Sequence, residues 1–194
     1  MSPALDPNPP VAGLHLVLGG ARSGKSAYAQ SLAVAQETAG REVCVVATAL
    51  GADEEMRARI ARHRADRPSH WRLVEPPPAR HALARAIDAH AGPRLCLLVD
   101  CLTLWLSQAI APPPGHAPLD PDDETAALLA ALRRAAGPVL LVGNEIGLGV
   151  IPLDASTRRV VDALGTAHQR IAALAERVTW MEAGLPVAVK GGAA

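Results

Sequence analysis

Aromatic side chains are scarce in this sequence. It contains no phenylalanine, and aromatic residues make up only 2% of a chain in which 49% of residues are hydrophobic. A core built by this chain must therefore consist mainly of Ala, Val, Leu and Ile. Such a composition is typical of helices packed on a parallel sheet and argues against an aromatic-rich β-sandwich.

Cysteines and long apolar runs are also few. The three cysteines, Cys44, Cys96 and Cys101, cannot all pair, and none lies at a metal-binding spacing. This favours a reducing compartment over an extracellular disulfide scaffold. No apolar run approaches the roughly 20 residues that cross a bilayer, and the start of the chain has no signal-peptide pattern. We therefore expect a cytoplasmic protein without membrane insertion.

The sequence also has no excess of positive or negative charge. The 19 basic side chains balance 19 acidic ones, so the net charge gives no reason to expect a nucleic-acid partner. The length of 194 residues suits one domain with a substantial core. We expect a flexible, proline-containing tail over residues 1–13 and a single catalytic domain over residues 14–194.

Short apolar runs alternate with segments of helical periodicity along the chain. The runs predict strands at 14–18, 42–49, 94–101, 138–145, 177–183 and 185–190. The periodic segments predict helices at 26–39, 52–68, 79–91, 102–110, 124–136 and 154–176. A proline-rich stretch, 111–123, is predicted to be an exposed loop. The alternation predicts an α/β fold with a mainly parallel sheet flanked by helices.

The stretch GGARSGKS, residues 19–26, matches the phosphate-loop pattern of nucleotide-binding proteins. It lies between a predicted strand and a predicted helix, which is the context that this motif requires. Its glycines allow backbone N–H groups to approach an anion, and the helix start adds partial positive charge. Lys25 would neutralise phosphate oxygens, and the hydroxyl of Ser26 would bind Mg²⁺.

A second metal ligand is predicted at Asp100, which ends the apolar strand LCLLVD. Ligands of open α/β sheets bind at the carboxyl ends of the strands. The alternative is that Asp100 only caps the helix that follows it. Asn144 and Glu145 end the next strand at the same predicted edge. Glu145 would act as a general base or would orient Mg²⁺-bound water; alternatively, both residues would only cap the following turn.

The helix predicted at 52–68 carries His63 between Arg62 and Arg64, with Arg59 and Arg67 four residues to either side. A neutral imidazole can attack phosphorus, and neighbouring guanidinium groups would spread the developing charge. They would also lower the pKa of the imidazole and keep it neutral. From these residues alone, a solvated basic helix with an unused histidine is the favoured interpretation.

Several motifs in order resemble one enzyme family, the bifunctional adenosylcobinamide kinase / adenosylcobinamide-phosphate guanylyltransferases of cobalamin biosynthesis. They are GGARSGKS, VATA, DEEMRARIARHRADRP, Trp71, VDCLTLWLS and GNEIGLGVIP. The resemblance extends from about residue 14 to residue 190. Phosphate loops occur in many proteins, whereas RIARHRADRP and NEIGLGVIP are much more specific.

The resemblance implies a RecA-like, three-layer phosphate-loop fold and two reactions. In the first, ATP or GTP phosphorylates the aminopropanol hydroxyl of adenosylcobinamide. In the second, GMP passes from GTP through a histidine to that phosphate, which gives adenosyl-GDP-cobinamide and pyrophosphate. It also implies Mg²⁺, a corrinoid substrate and a homotrimer.

By motif, the resemblance also assigns site residues. His63 matches the histidine that carries GMP. Nucleotide contacts fall on Gly19, Gly20, Ala21, Arg22, Ser23, Gly24, Lys25, Ser26, Ala47, Thr48, Ala49, Arg64, Ala65, Asp66 and Arg67. Glu75 and Asp100 match acidic residues that contact GTP, although Glu75 is also readily explained as a surface carboxylate.

Two other functions are compatible with a phosphate loop. One is a kinase of another small alcohol in which His63 is unused. The other is a nucleotide-dependent switch protein, which would need a guanine-reading Asn-Lys-x-Asp motif that the sequence lacks.

Overall fold

A seven-stranded sheet forms the centre of the structure, a computed structural model that describes residues 13–50 and 54–192. The side chains of Arg59 and His63 lie outside this description. The strands are β1 (Leu14–Gly19), β2 (Glu42–Ala47), β3 (Arg72–Val74), β4 (Leu95–Asp100), β5 (Val139–Asn144), β6 (Arg177–Glu182) and β7 (Leu185–Lys190). Their order in the sheet is β3-β2-β4-β5-β1-β6-β7.

All neighbouring strands pair in parallel except β6 and β7, which form an antiparallel hairpin at one edge. The register brings the carboxyl ends of the central strands together. Gly19 of β1 lies opposite Asn144 of β5, and Asp100 of β4 lies opposite Ala47 of β2. The predicted α/β fold with a mainly parallel sheet is therefore confirmed.

Helices cover both faces of this sheet, as strands that are apolar throughout require. They are α1 (Lys25–Thr38), α2 (Glu54–Ala65), α3 (Ala82–His90), α4 (Leu102–Ile110), α5 (Pro121–Arg134) and α6 (Ala155–Leu174). One face is covered by α1 through Ala29, Leu32 and Ala33. The other packs against α3, α4, α5 and α6. Within the described ranges, no helix is both long and apolar enough to cross a membrane.

Some boundaries differ from the prediction. The three-residue strand β3 was not predicted, because its side chains are exposed or half-buried and give no clear periodicity. Helix α5 begins at Pro121, inside the predicted loop 111–123, because Asp120 caps it by accepting a hydrogen bond from Asp122 N at 2.9 Å. Residues 1–12 lie outside the described ranges, so the division into a tail and one domain stays a prediction.

A buried histidine links β1 to β6. His15 is only 2% exposed, and its Nε2 lies 2.8 Å from Oγ1 of Thr179. Its Nδ1 is buried without a hydrogen-bond partner among the described residues. Burial, assisted by the charge of Arg177, lowers the pKa of His15 from 6.5 to about 4. The folded protein therefore holds this imidazole in its neutral form.

This arrangement predicts a loss of stability in mild acid. Between pH 6.5 and about 4 the unfolded chain binds a proton at His15 that the folded chain does not, so the free energy of unfolding falls as the pH is lowered through this window. The contribution of His15 is about 3 kcal/mol at its largest. Urea unfolding across this range should show a shallower pH dependence for His15→Leu than for the unsubstituted protein. Equal slopes would contradict the assignment, because all other titrating groups are common to both proteins.

Candidate active site

The phosphate loop connects β1 to α1 and is held in shape by its own backbone and by the β6–β7 turn. Gly24, which precedes α1, has φ +95°, a left-handed conformation that favours glycine. A Cβ at Gly24 would lie 3.2 Å from Cα of Gly184 in the β6–β7 turn. Gly184 N also donates a hydrogen bond to Ser23 O at 3.0 Å. The hairpin therefore supports the loop from the side.

Lys25 is the first residue of α1, and its side chain folds back onto this loop. It is 6% exposed, and its Nζ donates to Gly20 O at 2.5 Å and to Ser23 Oγ at 3.4 Å. The ammonium group is thereby placed at the loop, where the N–H groups of the helix start also lie. This combination is the expected binding site for the phosphates of a nucleotide.

A cavity of about 490 Å³ opens beside the loop. Its wall consists of the phosphate loop, the carboxyl ends of β2, β4 and β5, and residues of α2 and α4. The lining residues are Ala21, Arg22, Ser23, Gly24, Lys25, Ser26, Ala27, Ala47, Ala49, Glu55, Met56, Ile60, Arg62, Asp66, Arg67, Asp100, Cys101, Leu104, Val142 and Asn144. The volume is within the range of pockets that enclose small molecules and cofactors.

Asp100 and Arg67 form an ion pair in this cavity. Nη2 of Arg67 lies 3.3 Å from Oδ2 of Asp100, and the two side chains are 11% and 13% exposed. Nε of Arg67 is buried without a hydrogen-bond partner among the described residues. An unpaired buried donor is costly, so this guanidinium group is suited to an anionic ligand that would complete its hydrogen bonds.

The donor set fits the Mg²⁺ predicted from the sequence. The hydroxyl of Ser26 and the carboxylate of Asp100 border the same cavity as the phosphate loop. Oxygen ligands together with substrate phosphates are the usual environment of Mg²⁺ in nucleotide sites. Asp100 would then share its carboxylate between the ion and Arg67.

Thr48 lies next to the cavity. Its neighbours Ala47 and Ala49 line the cavity, whereas Thr48 holds the backbone at the end of an adjacent strand in place. Its Oγ1 donates to Cys101 O at 2.7 Å and accepts from Cys101 N at 2.9 Å. The side chain is buried and is not among the lining residues. Thr48 therefore fixes the backbone directly after Asp100, a contact across two strands that no local motif reveals.

Cys101 lines the cavity without being a plausible nucleophile. Burial, reinforced by the charge of Asp100, raises the pKa of its thiol to about 11. The thiol is therefore protonated at neutral pH and serves as an apolar wall. Sequence reasoning also missed Met56, Ile60, Leu104 and Val142, which make this side of the cavity apolar.

Helix α2 forms the side of the cavity opposite the sheet. Met56, Ile60 and Arg62 line the cavity, as do Asp66 and Arg67 just after the helix. His63 follows Ile60 by three residues in the same helix, and its side chain lies outside the described part of the structure. The backbone thus brings the histidine-bearing turn to the cavity, and the placement of the imidazole stays a prediction.

Five further predicted residues are not among those lining the cavity, namely Gly19, Gly20, Arg64, Ala65 and Glu75. Arg64 and Glu75 form an ion pair at 2.9 Å in which both side chains are at least half exposed, and Ala65 is also exposed. Such a surface pair contributes only about 0–1 kcal/mol, so a ligand can separate it at little cost.

Glu145 follows β5 and faces the turn after it. Its Oε1 accepts a hydrogen bond from Gly147 N at 2.6 Å, and its own N–H donates to Gly19 O at 3.0 Å. Its neighbour Asn144 lines the cavity, whereas Glu145 is not among the lining residues. The capping contact considered from the sequence is present, next to the phosphate loop.

Comparison with known proteins identifies the family of the chain. The model of the cobinamide kinase / cobinamide phosphate guanyltransferase family matches residues 15–189. The chain belongs to this family. The bifunctional adenosylcobalamin biosynthesis protein CobP of Pseudomonas aeruginosa is 50% identical over 176 residues, which cover 91% of this chain and 96% of that protein. The corresponding CobU of Salmonella typhimurium is 36% identical, with 90% and 98% covered.

Solved structures support the fold of this cobinamide kinase / guanyltransferase family member. The flagellar accessory protein FlaH of Methanocaldococcus jannaschii aligns with a TM-score of 0.54 at 12% identity, covering 93% of this chain and 81% of that one. The Pyrococcus horikoshii protein PH0250 aligns with a TM-score of 0.51 at 8% identity, covering 92% and 86%. At these identities the likeness concerns the fold alone. The predicted family and phosphate-loop fold are thus confirmed.

The role of Thr48 can be tested by substitution. Thr48→Val removes both hydrogen bonds to Cys101. It leaves the buried N–H of Cys101 unpaired, at about 1–3 kcal/mol, whereas Cys101 O keeps its hydrogen bond from Trp105 N. We expect a lower free energy of unfolding in urea and weaker nucleotide binding, because the backbone that carries Asp100 is no longer fixed. Thr48→Ser, which keeps the hydroxyl, should resemble the unsubstituted protein in both measurements. Equal effects of the Val and Ser substitutions would show that the Thr48 hydroxyl does not determine stability or nucleotide binding.

Proposed function

We propose that this protein phosphorylates adenosylcobinamide with ATP or GTP and then transfers GMP from GTP to the product, and that both steps use the cavity beside the phosphate loop. The proposal is supported above all by one juxtaposition. A phosphate loop with a buried Lys25, the carboxylate of Asp100 and the basic end of α2 all border one cavity. Family membership supplies the identity of the acceptor.

In the kinase step, the aminopropanol hydroxyl attacks the γ-phosphorus of the nucleotide. The bond from γ-phosphorus to the bridging oxygen breaks, and the nucleoside diphosphate leaves. Lys25 and the loop N–H groups would stabilise the negative charge on the phosphates. Glu145 would accept the hydroxyl proton. It lies at the carboxyl end of β5, beside Gly19 of the loop.

In the guanylyl step, a neutral imidazole nitrogen of His63 attacks the α-phosphorus of GTP. A P–N bond forms, the bond from α-phosphorus to the bridging oxygen breaks, and pyrophosphate leaves. A phosphate oxygen of adenosylcobinamide phosphate then displaces His63 and takes over the GMP. Arg62 and Arg67, which line the cavity, would spread the charge that develops on phosphorus.

The remaining contacts in the proposal concern nucleotide recognition. The carboxylate of Glu75 would accept the two hydrogen-bond donors on the Watson–Crick edge of guanine, after giving up its exposed pair with Arg64. Mg²⁺ held by Ser26 and Asp100 would neutralise phosphate charge. Ala47, Ala49 and the stretch 64–67 would contact the nucleotide from the two sides of the cavity.

We also propose that the protein is a cytoplasmic homo-oligomer, a trimer by family analogy. The support from the structure is a set of exposed apolar side chains in two segments of the described chain. Leu148, Val150, Ile151 and Leu153 in the loop after β5 are 76% exposed or more, and β7 exposes Leu185, Val187 and Val189. Extended apolar surfaces of this kind mark interaction sites.

The guanylyl step predicts a covalent label. Incubation with Mg²⁺ and GTP labelled in the α-phosphate should leave a label on the protein that is labile in acid and stable in base, as expected for a P–N bond. His63→Ala should abolish this label and retain phosphorylation of adenosylcobinamide by ATP. His116→Ala, which changes an exposed histidine in the loop before α5, serves as the matched control and should label fully. Full labelling of His63→Ala would remove His63 from the mechanism.

The shared cavity predicts that one substitution affects both steps. Lys25→Met removes the ammonium group at the phosphates, so kinase turnover and His63 labelling should both fall by roughly 10²–10³. Lys190→Met is the control, since Lys190 is exposed on β7 and bonds only to carbonyls of α6 among the contacts described. A variant that lost kinase activity but kept full labelling would indicate that the two steps use different phosphate sites.

A further inference from the structure

A buried histidine that the proposed mechanism does not use lies against Glu145. His168 belongs to α6 and is 5% exposed. Its Nδ1 is 3.8 Å from Oε2 of Glu145, longer than a hydrogen bond but within the range of an ion pair. Neither ring nitrogen makes a hydrogen bond within the described part of the chain. A buried polar group left unpaired costs about 1–3 kcal/mol, which an apolar side chain here would avoid.

The backbone of β5 leaves room for this ring. A Cβ built at Gly143 would lie only 2.7 Å from Nε2 of His168 and 3.4 Å from its Cε1. A glycine is therefore needed where the ring packs on the strand. With Nε2 against β5, the ring directs Nδ1 to the carboxylate of Glu145, two residues further along the chain.

The carboxylate of Glu145 is held from the other side as well. Oε1 accepts from Gly147 N, and the backbone N–H of Glu145 donates to Gly19 O in the phosphate loop. Of the two carboxylate oxygens, Oε2 is therefore the one available to accept a hydrogen bond from the ring. A carboxylate has about four acceptor positions, so bonds to Gly147 and His168 would leave positions for an incoming proton.

We infer that His168 is a positioning residue that orients Glu145 toward the acceptor hydroxyl in the kinase step, an inference that rests on the proposed function. A small rotation of either side chain shortens the 3.8 Å separation to a hydrogen bond from Nδ1–H to Oε2. The hydroxyl proton then passes to the carboxylate as the oxygen–phosphorus bond forms. His168 itself neither gains nor loses a proton.

The surroundings suit a neutral donor. Burial lowers the pKa of His168, and the Glu145 carboxylate opposes this effect in part. A neutral imidazole orients the carboxylate while reducing its basicity less than an imidazolium ion would. This is the property required of a group that supports a general base.

The test is a double-mutant cycle between the two residues. His168→Leu in the otherwise unsubstituted protein should lower kcat of adenosylcobinamide phosphorylation about tenfold, a part of the roughly 10²–10⁴ that a general base contributes. In the Glu145→Gln background the same change should have no further effect. KM for adenosylcobinamide and labelling of His63 by GTP should stay as they were. His168→Asn, which keeps an N–H donor, should recover most of the loss.

If the substitutions acted by damaging the structure, the measurements would give a different result. His168→Leu fills the buried position without an unpaired polar group, so we expect no loss of thermal stability. Gly143→Ala tests the same contact independently, since it crowds the ring and should lower kcat only while Glu145 is present. Equal losses in both Glu145 backgrounds, or parallel losses of phosphorylation and labelling, would overturn the inference. If the unsubstituted protein does not phosphorylate adenosylcobinamide, the proposed function itself is wrong, and the inference falls with it.

Discussion

The parallel pairing of β1 with β5, and of β4 with both β2 and β5, is the constraint on which the site depends. Parallel strands that are apolar on both faces must be covered by helices, and their carboxyl ends must meet at one edge of the sheet. Here that edge joins Gly19, Ala47, Asp100 and Asn144. The chemistry-bearing side chains are brought together by strand register, although they are far apart in the sequence.

Two sides of the cavity differ in how firmly the fold holds them. The sheet side is fixed by buried strands, by the two hydrogen bonds of Thr48 and by the contacts of the phosphate loop. The α2 side consists mostly of exposed side chains, with Met56 and Ile60 only partly buried. A partly buried ion pair between Arg67, just after α2, and Asp100 of β4 connects this side to the sheet. The α2 side is therefore the less firmly held of the two.

The sequence predicted those features that local pattern determines. The phosphate loop has a fixed spacing, Asp100 ends an unbroken apolar strand, and the alternation of strands with helices identifies the fold class. Long-range contacts were not predictable in the same way. The hydrogen bonds of Thr48 to Cys101 cross 53 residues, and His168 meets Glu145 only because α6 returns over β5. The side chain of His63 and the functional roles remain predictions from family resemblance.

The hairpin of β6 and β7 is far from the phosphate loop in sequence, yet Gly184 in its turn bonds to Ser23 and lies against Gly24. The anion site is therefore incomplete until both strands are in place. A nascent chain on the ribosome would expose GGARSGKS early but could not shape it fully before the hairpin emerges. Capture of a nucleotide would then follow the pairing of β6 with β7 and would favour the completed sheet over partly folded chains.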